Sequence, residues 1–76
     1  MQMEAKIREI IAEIACCDLQ DASDESTLTS DLAMDSLDLA KLAVELESQF
    51  DIEVADSSVR GDMTVRQVID EVKSLL

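Results

Sequence analysis

Three stretches of this chain repeat apolar residues at the period of an α-helix, and together they leave little else to fold with. Met3, Ile7, Ile10, Ile14 and Cys17 form one stripe over residues 3–17, with Ile11 beside them. Leu39, Leu42, Ala43, Leu46 and Phe50 do the same over 36–50. Val65, Val68, Ile69, Val72 and Leu75 repeat the pattern over 65–75, headed by Thr64 and Gln67 at the spacing of a capping box. Proline is absent and glycine occurs once, at position 61, which favours helices over a many-turned β fold. The pattern predicts an all-α fold: a small helical bundle of three main helices plus one short helix, with a long loop between helices one and two. The 76 residues are expected to form one domain, 1–76, with a small core.

The segments between the stripes are polar. Residues 18–35 read as a loop rich in Asp, Ser and Thr, pinned down by burial of Leu28 and Leu32. The acids from Asp21 to Glu25 do not make a calcium loop. An EF-hand needs Gly at its sixth position and Glu at its twelfth, where this chain has Ser26 and Leu32. In residues 51–63, Ile52 and Val54 are expected to pack inward. Asp56 is expected to cap a short helix, Ser57 to Arg60, ended by Gly61 in a left-handed conformation.

Eighteen acids against six bases give a net charge of −12. Nucleic-acid binding needs clustered Lys and Arg, so it is excluded, and an anionic membrane would repel the chain. Basic protein surfaces are the complementary partners. Cys16 and Cys17 are adjacent and make no disulfide framework, and with no His in the chain they do not complete a zinc site. Their thiols read as reduced, and no apolar run approaches the length of a signal peptide or membrane span, so the expected location is cytoplasmic.

Ser36 stands where the polar loop meets the second helix. There, unpaired backbone N–H groups and the helix dipole favour an anion. Either Asp35 or Ser36 can serve as the N-cap, a purely structural role. Leu37 and Val44 do not belong to the buried stripe of this helix. At about 100° per residue they project roughly opposite to Leu39 and Leu46, flanked by Asp38, Glu45 and Glu47. An apolar centre with a charged rim is the pattern of a small docking surface. Catalysis is not expected: a nucleophilic serine needs a general base, usually His, and the chain has neither His nor a glycine-rich phosphate loop. The chain reads as a substrate of other enzymes.

The run Asp35-Ser36-Leu37-Asp38-Leu39, with Asp31-Leu32 before it and Glu45-Leu46-Glu47 and Phe50-Asp51-Ile52-Glu53-Val54 after it, resembles an acyl carrier protein. The resemblance extends from the first helix to the last. It implies that Ser36 carries 4′-phosphopantetheine through a phosphodiester, placed there from coenzyme A by a phosphopantetheinyl transferase, and that acyl groups ride on the arm's thiol. The partners it implies are malonyl transferase, condensing enzymes, reductases, a dehydratase and acyltransferases with basic docking surfaces. The residues that would meet them are Asp35, Leu37, Asp38, Lys41, Val44, Glu45, Glu47, Glu53 and Asp56. No metal is implied, and the carrier acts as a monomer.

Some positions depart from the family pattern. Lys41 is the one base among eight acids between Asp31 and Asp56, and lies where the family often has an acid. Ser48 also replaces a frequent acid, and Ala55 stands where proline is common. Ala33 occupies the usual glycine before the motif, so the loop must accommodate a Cβ there. The leading expectation is a carrier of bacterial type II fatty acid synthesis. The alternatives are a carrier for polyketide, specialised lipid or aminoacyl transfer, and an unmodified acidic module that binds a basic partner.

Overall fold

A computed structural model describes residues 2–55 and 58–76. Three α-helices, α1 (Gln2–Ala15), α2 (Ser36–Phe50) and α3 (Val65–Leu75), enclose one apolar core. A 3-10 turn, Leu19–Asp21, lies in the loop between α1 and α2. Among the described residues the only β pairing is an isolated bridge between Thr27 and Thr64. The expected all-α bundle with a long first loop is what forms. The expected cap Asp56 and the start of the short helix, Ser57, lie outside the described residues. Beyond them, Ser58 N–H donates to the Ala55 carbonyl at 2.9 Å and Val59 is buried.

The core follows the stripes. Ile7, Ile11, Leu42, Leu46, Val65, Val68 and Ile69 are wholly buried, as is Leu28 from the loop. Leu32 and Val54 are buried and Ile52 is half-buried, as the sequence predicts; Ala22, Met34 and Met63 join them from the connecting segments. Leu75 departs from its expected place in the α3 stripe. It lies in the last turn of α3 and is exposed.

Helix α1 ends two residues earlier than its stripe predicts. Cys16 takes a left-handed conformation, φ 58°, so Cys17 N–H reaches back to the Ala12 carbonyl at 3.0 Å and Cys16 N–H to Glu13 at 3.2 Å. These two bonds make a Schellman stop without glycine. Cys17 is half-buried against the core and Cys16 is exposed. Burial raises the Cys17 thiol above its ordinary pKa, helped by the charge of Asp21.

The long loop is stitched to the start of α3. Leu28 N–H donates to the Met63 carbonyl at 3.0 Å and Thr29 N–H to the Gly61 carbonyl at 3.1 Å. In return Val65 N–H donates to Ser26 and Arg66 N–H to Asp24, each at 3.0 Å. With Thr64 N–H on Gln67 Oε1 at 2.9 Å and Gln67 N–H on Thr64 Oγ1 at 3.2 Å, all four orphan donors of α3 are satisfied. The predicted Thr64–Gln67 capping box is present in both directions. Gly61 is needed here for a different reason than the sequence suggests. Its φ is not positive. A Cβ at this position would instead collide with the Thr29 methyl, which packs against it where the two segments pair.

Ion pairs close the same seam. Asp24 accepts from Arg8 and, at 3.1 Å, from Arg66; Glu4 accepts from Arg66 at 3.2 Å and from Lys73. Lys73 and then Arg66 hold the Glu4 carboxyl below its ordinary pKa, and Arg8 and then Arg66 do the same for Asp24. Folded values below the unfolded ones mean that this network stabilises fully above the ordinary carboxylate range, about pH 4. That stabilisation is lost as pH falls through the lowered values. Thermal melts between pH 6 and pH 3 are expected to show a smaller acid-induced loss in Glu4→Gln/Asp24→Asn than in the parent; parallel profiles would remove the network from the account.

Candidate functional site

The loop delivers Ser36 through a tight local structure. Asp31 Oδ2 accepts from Thr27 N–H at 2.7 Å, and the Asp31 and Leu32 N–H groups return to the Thr27 carbonyl at 2.9 and 3.1 Å. Ala33 then adopts φ 56°, which turns the chain so that Met34 N–H bonds to the Leu28 carbonyl at 2.9 Å and Met34 buries. The Cβ anticipated at this position therefore sits in the left-handed region, where an L side chain costs about 1–2 kcal/mol. Ala33→Gly relieves that strain and gives back part of it in unfolded-state entropy. The expected gain is about 0.5–1 kcal/mol, read as a rise of about 2–8 °C in Tm; a lower Tm would show that the Ala33 methyl contributes more than its strain costs.

Asp35, not Ser36, is the N-cap. Its extended backbone leads into α2, Asp38 N–H donates to Asp35 Oδ1 at 2.9 Å, and Asp35 N–H donates to Asp38 Oδ2 at 3.4 Å. This reciprocal box occupies both acids of the motif. Ser36 is then the first residue of the helix, exposed, and neither its hydroxyl nor its backbone N–H has a hydrogen-bond partner among the described residues. An unengaged hydroxyl at a helix N-terminus fits a phosphodiester, which gains from the open N–H groups and the dipole.

Beyond Ser36 the outward face of α2 is apolar at its centre. Leu37 is 70% exposed and Val44 61%, as the helical period predicts. Together with Ala40, Lys41 and Glu45 they form one side of a groove of about 590 Å³, whose other side is Ile10, Glu13, Ile14 and Cys16 of α1. The sequence reading missed the α1 side. Ile10 and Ile14 were expected purely as core, and only the pairing of α1 with α2 turns their outer flank into a wall.

The other expected contact residues disperse. Glu53 is exposed in the segment after α2, and Asp56 lies outside the described residues. Glu47 is half-buried, and its Oε2 accepts from Val54 N–H at 3.0 Å, so it anchors the chain leaving α2. Lys41 is exposed and forms no ion pair among the described residues, whereas Arg8, Arg60, Arg66 and Lys73 each do. No metal-binding cluster occurs among the described residues, and none of their helices is long and apolar enough to cross a membrane.

Comparison with known proteins agrees with this geometry. The family profile of the phosphopantetheine attachment site matches residues 5–72. An acyl carrier protein of Desulforapulum autotrophicum is 36% identical over 74 residues, covering 96% of each chain. A match over nearly the whole length, on a bundle that presents a serine in this way, places the chain in the phosphopantetheine-attachment family of carrier proteins, which bear cargo for enzymes and are not enzymes themselves.

Proposed function

We propose that this protein carries acyl groups in bacterial type II fatty acid synthesis, as thioesters on a 4′-phosphopantetheine arm esterified to Ser36. The observation that supports this best is the division of labour at the head of α2: Asp35 and Asp38 satisfy the helix end, and the Ser36 hydroxyl is left open to a modifying enzyme. The arm supplies the thiol. Ser36 Oγ supplies the ester oxygen, and the rest of the chain positions and presents the arm. The whole of 1–76 acts as a single carrier domain in the cytoplasm.

Partners dock on the face around the arm. Leu37 and Val44 provide apolar contact. Asp35, Asp38, Glu45 and Glu53 provide the acidic surround for basic enzymes, with Glu47 contributing its remaining charge. These enzymes are the transferase that loads Ser36, then malonyl transferase, condensing enzymes, reductases, dehydratase and acyltransferases. Incubation with coenzyme A, magnesium and a broad-specificity phosphopantetheinyl transferase should add one arm by intact mass; an unchanged mass rejects the carrier reading.

Lys41 favours a second reading, a carrier for another acyl or aminoacyl pathway. Its unpaired charge sits between Leu37 and Val44, where it repels a basic enzyme. In the fatty acid reading, Lys41→Glu raises kcat/KM of the loaded carrier with malonyl transferase and a condensing enzyme by about three- to tenfold, the range for reversing one interface charge. Wild-type activity with neither enzyme, alongside normal loading of Ser36, would favour the second pathway.

A further inference from the structure

We propose that the groove between α1 and α2 is a recognition site for an amphipathic helix of a partner protein, held whether or not Ser36 bears its arm. Its walls come from side chains of both helices, and Ser36 is not among them. Leu37 and Val44 stand two turns apart on α2, about 10 Å, and the exposed Ala40 between them leaves room for an incoming side chain. Apolar residues at i, i+4 and i+7 of a third helix cover the same distance, which is the spacing that helix-binding grooves read. Ile10 and Ile14 of α1 supply the far wall. Two large aliphatic side chains left open beside a second apolar wall mark a protein contact rather than ordinary surface.

Charge decides which helix fits. The rim carries Glu13 from α1 and Lys41 and Glu45 from α2, and none of the three is ion-paired among the described residues. The complementary helix therefore sets a carboxylate against Lys41, at the middle of the α2 wall, and Lys or Arg against Glu13 and Glu45. A uniformly basic helix meets a like charge at Lys41. A uniformly acidic one meets both glutamates and the net charge of −12. The same net charge opposes a second copy of this chain in the groove, and an anionic membrane as well. The stems of the three rim residues add apolar cover for the seated helix while their charged ends stay in water.

Synthetic helices of about 15 residues, near the shortest that hold together in water, provide the test. The parent peptide has leucines at i, i+4 and i+7, one Glu beside the middle leucine, and Lys on both flanks. Titrated into nitrogen-15-labelled protein, it is expected to shift the amides of Ile10, Ile14, Leu37 and Val44 first. It should bind about three- to tenfold more tightly than a peptide with Lys in place of that Glu, and Lys41→Glu should reverse the order. Ala40→Glu, which puts a carboxylate among the bound leucines, should weaken the parent peptide about tenfold. Ser36→Ala should bind it as well as wild type does, which separates this site from the arm. No saturation by about 1 mM peptide would overturn the proposal. So would shifts confined to residues outside the groove, equal affinity for a peptide with serines in place of its leucines, or no preference for the Glu-centred peptide. None of these results bears on loading of Ser36, which intact mass decides.

Discussion

Ser36→Ala is expected to abolish loading completely: coenzyme A, magnesium and transferase add one arm to the parent and nothing to the variant. The loss should be all-or-none because the hydroxyl supplies the ester oxygen itself. Other exposed serines are not expected to substitute. Ser30 lies within the loop and Ser48 within α2, and neither begins a helix. The variant should remain folded, since Asp35 carries the cap and an exposed side chain at the first helical position contributes within about 0.5 kcal/mol. Normal melting with no mass gain is therefore the expected pair of results. An equal gain in the variant would move the attachment site away from Ser36.

Leu46→Ala is expected to have the largest effect on the fold. Leu46 is wholly buried, and removing such a side chain from a close-packed interior costs about 2–5 kcal/mol. Small domains have total stabilities near the low end of about 5–15 kcal/mol, so a fall in Tm of about 10 °C or more should follow. Leu37→Ala and Val44→Ala make the contrast. They delete similar amounts of hydrocarbon from the same helix, but at exposed positions, and should change stability by no more than about 0.5 kcal/mol. Their effect should appear instead as weaker docking to partner enzymes. If either melts the fold as Leu46→Ala does, the outward face of α2 has been misassigned.

The contrast within α2 also shows what a sequence makes legible. The starts of α2 and α3 could be read because their signals are local: Asp35 or Ser36 as a cap at the head of α2, and Thr64 and Gln67 three residues apart at the head of α3. Leu37 and Val44 could be placed outward because helical period alone decides it. The end of α1 could not, because Cys16 enters a conformation that sequence reserves for glycine, and the pull comes from the backbone bonds that Cys16 and Cys17 make behind them. Gly61 misled for the converse reason: its role is set by Thr29, which is distant in sequence. The same distance hid the Glu4 pairs with Arg66 and Lys73, separated by 62 and 69 residues, and the α1 wall of the groove. Glu47 looked like surface charge because the N–H it holds belongs to Val54, beyond the end of the helix.

The stitching between residues 24–29 and 61–66 sets an order of events during synthesis. The Asp24–Arg66 pair spans 42 residues, so the stitching of residues 24–29 to α3 cannot form until residue 66 has been made. A half-made chain already contains Ser36 and its local turns but lacks the brace that holds the loop against α3.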